Sequence, residues 1–338
     1  MVRLVLYFGQ AGYTRGMPYL VGTDEAGYGP NLGPLTISAT VWRVPETFRW
    51  QRGQSPDLYA RLADTICSAP DGERIAIADS KQLYKPGNGL AHLERGFLAA
   101  LAATDRRPGE WGQIWSALEA DPDEHVPRQP WHAGYRCELP VAIDCDDLLQ
   151  ASAKLASGLG AARMQLVAIR SRAIFPHQFN GLIEKHGTKG AALSHLTLAL
   201  LGEVLPLLEP EPVLVVCDKH GGRNYYQPLL QRQFPEHLVE VRREGGEESI
   251  YRWGPSSTRV EVRFRVRAEE FVPSALASMA CKYLRELAML AFNDFWCCRV
   301  PNLRPTAGYP LDARRFRKEI AAAQQTLGID DRTLWRER

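Results

Sequence analysis

The 338-residue chain has no CxxC pair and no Cys/His spacing of the kind that holds zinc, and its seven cysteines (67, 137, 145, 217, 281, 297 and 298) are an odd number. A complete disulfide framework is excluded, and a reduced, cytoplasmic compartment is expected. The vicinal Cys297 and Cys298 read as packing residues near a helix end. Met1 to Tyr13 lacks the sustained apolar core and cleavage site of a secretory signal, and no apolar run approaches the length needed to cross a bilayer, so no membrane role is expected. An excess of one charge is missing too. Basic side chains number 41 against 39 acidic, a formal net charge of +2, so any nucleic-acid footprint has to be local. Internal repeats and low-complexity linkers are absent from the sequence.

What is present has ordinary globular proportions, 45% hydrophobic and 24% charged, enough for a large core in one elaborated domain or two. Leu20 to Thr23 and Leu35 to Arg43 read as strands that pair as a hairpin. Leu58 to Ser68 and Gly89 to Ala103 carry helical spacing, with Asp79-Ser80-Lys81 in the loop between them. Asp105 to Pro140 has several Pro, Trp and acids without a sustained period and reads as an excursion from the core. Val141 to Ile143 and Met164 to Ile174 read as strand, Thr188 to Leu208 as helix. Val213 to Cys217 is a continuous apolar run ending in Asp218, as in a strand buried on both faces that opens at a site. Val260 to Val266 alternates as a half-buried strand, and Pro273 to Trp296 is a long helix.

The most informative stretch is Gly22-x-Asp24-Glu25-Ala26-Gly27-x-Gly29-Pro30-x-x-Gly33-Pro34, which delivers two adjacent carboxylates from an apolar strand into a glycine turn. Neighbouring side chains on a regular strand face opposite ways, so Asp24 and Glu25 converge only if the strand ends there. Converging carboxylates repel, and a shared proton or a hard cation relieves them. Taken alone, the pair is as compatible with a capped, solvated turn.

This string resembles the opening signature of type 2 ribonuclease H, which cuts RNA hybridised to or embedded in DNA, and three later segments agree in order. Asp79-Ser80-Lys81 resembles the family's Asp-Ser-Lys segment. Val213 to Asp218 is similar to its buried strand ending in a catalytic Asp, and Ala275 to Glu286 to its Ala/Ser-rich helix. The resemblance runs, in islands, from about residue 19 to 318. It implies an α/β fold: a ribonuclease H-like mixed sheet flanked by helices, with a helical C-terminal portion. The implied layout is a catalytic core over 1–296, with insertions near 105–140 and 224–258, and a substrate-covering helical segment over 297–338. It implies catalytic and metal-binding roles for Asp24, Glu25, Asp218 and Glu286 around two Mg²⁺ or Mn²⁺ ions, and an RNA–DNA hybrid or ribonucleotide-containing duplex as partner of a monomeric enzyme. Ser278, Lys282 and Glu286 recur every four residues and so share one helix face; Asp294, two turns further on, is the alternative fourth ligand.

Two positions depart from the family pattern. Tyr28 stands between Gly27 and Gly29 where the family usually has Arg, and Glu286 stands where it has Asp. The remaining candidate substrate contacts are Lys81, Tyr309 in Gly308-Tyr309-Pro310, and Lys219, His220 and Arg223 in the loop after Asp218. That loop reads as a phosphate-holding turn with His220 as a proton shuttle, or as an ordinary charged loop. Glu244-Gly245-Gly246-Glu247-Glu248 in the second insertion reads as a lid or partner surface. Arg299, Arg304, Arg314, Arg315, Arg317 and Lys318 gather as a local basic group for phosphate contact or as a solvated helix face.

Overall fold

A computed structural model describes residues 18–48, 55–84, 89–119 and 128–337. The leading segment read for a secretory signal lies outside the described residues. The chain opens with β1 (Tyr19–Ala26) and β2 (Leu35–Arg43), paired antiparallel as the hairpin expected from sequence. There follow α1 (Leu58–Arg61), β3 (Ile66–Cys67), β4 (Ile75–Ala76), α2 (Ser80–Leu83), α3 (Ala91–Ala102), α4 (Trp111–Ala117), α5 (Cys145–Ala162) and β5 (Gln165–Ile174). Next come α6 (Pro176–His186), α7 (Lys189–Val204), β6 (Val213–Asp218), α8 (Gln227–Gln233), β7 (Glu240–Arg243), β8 (Glu248–Trp253) and β9 (Val260–Arg265). The 26-residue α9 (Val272–Cys297), α10 (Pro310–Thr326) and α11 (Asp331–Leu334) complete the described elements.

Seven strands form one mixed sheet in the order β5-β2-β1-β6-β9-β8-β7. β6 pairs parallel with β1 on one side and β9 on the other, and its side chains alternate between two cores, Leu214 and Val216 in one and Val213, Val215 and Cys217 in the other, which explains its unbroken apolar run. Alternation along the strands feeds two cores. Leu20, Leu214 and Val216 face α3, α5 and α9 with Phe97, Leu155 and Met279. Val21 and Val215 face α7 and α8 with Leu193, Leu201 and Leu230. A third cluster joins the far half of α9 to α10 and α11 through Phe292, Trp296, Phe316, Ile320 and Leu334, with Leu32 from the glycine turn among them.

Several expectations need correction. Leu58 to Ser68 is not one helix. α1 ends at Arg61, and Ile66 and Cys67 beyond it form β3, which pairs parallel with β4. Ser80 to Leu83 is a helical turn capped by Asp79 rather than loop. Val141 to Ile143 forms no strand, because its three backbone N–H groups donate to the buried Glu94 carboxylate at 2.7, 2.6 and 3.2 Å. The described part of 105–140 is docked rather than an excursion. Trp111 Nε1 donates to the Leu287 carbonyl of α9 at 2.9 Å, and Trp131 meets Phe292 edge-on. Its aperiodic sequence reflects an aromatic cluster of Trp111, Trp115, His132 and Tyr135. Lys189–Leu207 is, by length and composition, apolar enough to cross a membrane; here it covers the sheet as α7 and a short 3₁₀ turn, with Leu193, Leu198 and Leu201 in the second core.

Candidate active site

β1 carries its carboxylates to the site because α9 lies against it at close range. A Cβ on Gly22 would come within 2.1 Å of the Ser274 backbone nitrogen, so only glycine admits the helix there. Polar links register α9 on the sheet: Ser274 Oγ donates to the Val216 carbonyl of β6 at 3.1 Å, Cys281 Sγ to the Asp24 carbonyl of β1 at 3.1 Å, and Thr36 Oγ1 of β2 to the Cys281 carbonyl at 2.9 Å.

Parallel pairing of β1 with β6 runs to Thr23 opposite Cys217, so Asp24 and Asp218, the next residues, lie side by side where that ladder ends. Contrary to expectation, β1 itself does not end at the acids but continues to Ala26, paired with β2. Their charges act on one another. Burial pushes the Asp24 carboxyl well up, the charge of Glu25 and, less, that of Asp218 add to it, and the Ser278 hydroxyl opposes. Glu25 is pushed up to about 7, by burial first and by Asp218 next, with Lys81 opposing. Burial also raises Asp218, against the backbone N–H groups of Lys219 and Ala268 and the charge of Lys81. Three buried, raised carboxyls, with Asp218 acting on both of the others and Glu25 on Asp24, make a site that favours a cation.

Ser278 and Lys81 lie near these acids. The Ser278 hydroxyl donates to Ser80 Oγ at 3.0 Å and Asp79 Oδ1 at 3.4 Å, tying α9 to α2. Lys81 feels Asp79, Asp24, Glu269 and Asp218, all of which hold its charge on. Asp79, to which the sequence motif gives no role of its own, caps α2 through the Lys81 N–H at 3.1 Å and adds to the field on Asp218. An acid immediately before a helical turn is an N-cap signal, and it would have placed Asp79 beside Lys81.

The two candidates for a fourth acid lie further along α9. Glu286 pairs with Lys282, which also stands 4.2 Å from the centre of the Tyr84 ring, and burial first, with the Glu286 charge adding, raises the Tyr84 hydroxyl. At about 1.5 Å per residue, Glu286 is about 12 Å beyond Ser278 and Asp294 about 24 Å. Asp294 accepts a hydrogen bond from Tyr135 at 3.1 Å, on the third-cluster end of the helix, out of reach of an ion shared with Asp24. Tyr309, 56% exposed, stands with its ring 3.9 Å from the point where a Cβ on Gly29 would lie. The Tyr28 hydroxyl lies 3.9 Å from the corresponding points on Gly190 and Gly221, between the start of α7 and the loop after β6.

The loop after β6 differs from its sequence reading. The Lys219 ammonium donates to the Gly245 carbonyl at 2.6 Å, Asn224 Oδ1 at 2.8 Å and the Arg223 carbonyl at 3.3 Å, so it is a strut between its own loop and β8 rather than a phosphate contact. His220 is buried against Phe264 and Tyr226, with Nδ1 at 3.0 Å from Ser194 Oγ. Burial, with Arg223 adding, lowers it to about 3, so it stays neutral and cannot shuttle a proton near neutral pH. Arg223 lies 6.0 Å from the Tyr226 ring centre. The Glu244 to Glu248 stretch is the turn between β7 and β8, which lengthen the sheet. In the C-terminal basic group, Arg315 pairs with Asp312 and Glu319, Arg317 with Asp331, and Arg299 covers Phe295, which is the solvated-helix alternative.

Among the described residues, no three His, Cys, Asp or Glu side chains form a ready-made metal cage. Asp24, Glu25 and Asp218 nevertheless suit a hard divalent ion by donor type and by the repulsion it would relieve.

Scans against family models and curated protein sequences find no match. Among solved structures, the chain is similar to ribonuclease H2 from Pyrococcus horikoshii OT3 (TM-score 0.43, 15% identity, 94% of this chain and 92% of that one). It is also similar to RNase HII of Archaeoglobus fulgidus in its complex with PCNA (0.43, 13%, 94% and 94%) and to Bst-RNase HIII in complex with Mn²⁺ (0.40, 14%, 95% and 67%).

Proposed function

We propose that the protein is a divalent-metal-dependent endonuclease that cleaves RNA in RNA–DNA hybrids. The observation that carries the reading is the placement of Asp24 and Asp218 side by side where the β1–β6 ladder ends, with Glu25 next in β1 and both Asp24 and Glu25 raised by burial and neighbouring carboxylate charge. Two Mg²⁺ or Mn²⁺ ions bound there would activate a water and steady the leaving 3′ oxygen in an in-line displacement. The chain's own residues divide the remaining work. Asp24, Glu25 and Asp218 are the oxygen donors, Ser278 and Asp79 fix the approach of α2, and Lys81 supplies a cation for a phosphate. Tyr309 over Gly29 offers a ring to a sugar. Asp24→Asn and Asp218→Asn should each lower hybrid cleavage by at least about a thousandfold, about 4 kcal/mol of transition-state stabilisation, with unchanged thermal melting. Parental turnover by either folded variant would sink the reading.

A second reading, a nucleic-acid-binding protein with weakened catalysis, is favoured by the pairing of Glu286 with Lys282 outside the strand-end acids. Glu286→Gln and Asp294→Asn separate the two. If Glu286 swings to the metals when substrate is bound, Glu286→Gln should lose about tenfold to a hundredfold in kcat, while Asp294→Asn stays near the parent. Equal, weak activity in parent and Glu286→Gln, with hybrid binding retained, would favour the second reading.

A further inference from the structure

We propose that Arg336 is a positioning residue for the active-site turn, delivered from 309 residues downstream to hold the backbone of Gly27 and Pro30 in place. The inference rests on the function proposed above only for its kinetic consequence.

The turn that follows Asp24 and Glu25 has its carbonyls drawn inward by two guanidiniums. Arg285, from α9, donates to the carbonyls of Pro34 at 2.6 Å, Leu32 at 3.1 Å and Ala307 at 3.0 Å. Arg336 donates from Nη2 to the carbonyls of Gly27, at 2.5 Å, and Pro30. Its backbone joins in: the Arg336 N–H donates to the Asn31 carbonyl at 2.8 Å, and Asn31 Nδ2 donates to the Arg336 carbonyl at 2.9 Å. The segment is anchored from the other side by Asn180, which donates to the Trp335 carbonyl at 2.9 Å and accepts from the Glu337 N–H at 2.8 Å.

Such an arrangement is costly for a merely structural tie. Arg336 is fully buried, its Nε and Nη1 have no hydrogen-bond partner among the described residues, and the groups its Nη2 reaches are carbonyls rather than a carboxylate. The Phe179 ring, 5.2 Å away, is the aromatic face that receives the cation. A buried guanidinium held by carbonyls in place of a counter-charge is retained at a stability cost. Its geometric effect is specific. A trans peptide is planar, so pulling the Gly27 carbonyl toward Arg336 turns the Tyr28 N–H the opposite way, out of the interior. Two buried cations beneath the turn also make its outer face electropositive, beside acids of opposite sign. Position 28 itself contributes no cation. The turn therefore presents an outward amide over a cationic underside, a cradle for one anionic oxygen of a phosphodiester.

The test pairs amide hydrogen exchange with kinetics on an RNA–DNA hybrid, using Arg336→Gln and Arg336→Lys. In Arg336→Gln, amides of the 27–34 turn should exchange at least about tenfold faster, while those of Leu20 to Thr23 in β1 keep parental rates. kcat should fall about tenfold or more with KM within about threefold, and Arg336→Lys should lie between this variant and the parent. Unchanged exchange in the turn, or a loosened turn with parental kcat, overturns the proposal. If the parent cleaves no hybrid, the proposed function fails, and the exchange comparison alone decides on Arg336. If Arg336→Gln does not fold, Asn180→Ala, which keeps the arginine and removes the two anchoring bonds of its segment, should show the same faster exchange confined to the turn; parental exchange there overturns the proposal.

Discussion

The loops that leave β1 and β6 open side by side onto the same acids, yet they are stabilised in opposite ways. The β1 loop, from Gly27 to Pro34, is held from outside by the guanidiniums of Arg285 and Arg336, 251 and 309 residues away in sequence. In the β6 loop, Lys219 uses its ammonium on Asn224 and Arg223 of its own loop and on Gly245 of the β7–β8 turn, and Tyr226 OH accepts from the His220 N–H at 3.0 Å. A loop that uses up its own polar groups has few left for a ligand. One whose carbonyls are satisfied from behind keeps its outer face open. On the proposed function, substrate chemistry is assigned to the β1 loop and scaffolding to the β6 loop, although the lysine, histidine and arginine of the β6 loop are by residue type the better match for phosphate.

The sharpest way to break this contrast is Lys219→Met. It leaves a set of carbonyl and amide oxygens without their charged donor, and should cost about 2–3 kcal/mol of stability, read as a lower urea midpoint. Activity per folded molecule should stay within about threefold of the parent, because Lys219 faces away from the acids. A stable Lys219→Met protein with cleavage lost would reverse the roles of the two loops.

Tyr28 is where the loops meet, its hydroxyl close to Gly221 of the β6 loop and Gly190 of α7. An arginine there would bring a charged fork toward the reacting phosphate, an interaction of about 1.5 kcal/mol or about tenfold in rate if made in the transition state. On the proposed function, the parent should prefer several consecutive ribonucleotides to one ribonucleotide embedded in DNA. Tyr28→Arg should narrow that gap about tenfold in kcat/KM. A parent that already favours the single ribonucleotide would show that Gly27 and Gly29 suffice.

What the sequence revealed and what it concealed divide along the same line. The apolar run Val213 to Cys217, the strands around Asp24 and the long helix carrying Ser278 were legible because burial pattern and element type are local properties. Asp218 was legible because it ends its strand, and Asp24 and Glu25 because they interrupt an apolar strand just before its glycine turn, although β1 runs on to Ala26 rather than stopping at them. The direction in which a loop side chain points is not local. Lys219 and His220 read as ligands because their residue types suit phosphate and protons, and turn out to face β8 and Ser194. Arg336 gave no signal, since a single arginine after a short helix resembles any other until the fold brings it to Gly27. Leu58 to Ser68 misled for a related reason: helical spacing over eleven residues also fits a turn of helix followed by a two-residue strand.

Both loops rest on the α6–α7 pair, the β1 loop through Asn180 and Phe179, the β6 loop through Ser194, and the smallest expected effect lies in the seam between those helices. His186 of α6 and His195 of α7 stack with ring centres 4.5 Å apart. Both are lowered, by burial first; Lys185 and Arg232 add to both, and His186 adds to His195. A histidine whose folded value is depressed adds no pH dependence while both states are neutral. As pH falls through the ordinary value near 6.5, the unfolded chain takes up protons that the folded chain refuses, and stability declines. The raised Asp24 and Glu25 carboxyls bind protons more readily in the folded chain and act the other way over the same range. The histidine contribution is therefore read as a difference: between pH 7.5 and 5.5 the parent's melting temperature should fall relative to that of His186→Gln/His195→Gln. Because the seam carries both loops, protection of the 27–34 turn and of the loop after Asp218 should weaken together. Weakening of only one of them at pH 5.5 would show that the loops are supported separately, and the contrast between them would then extend down to the helices beneath.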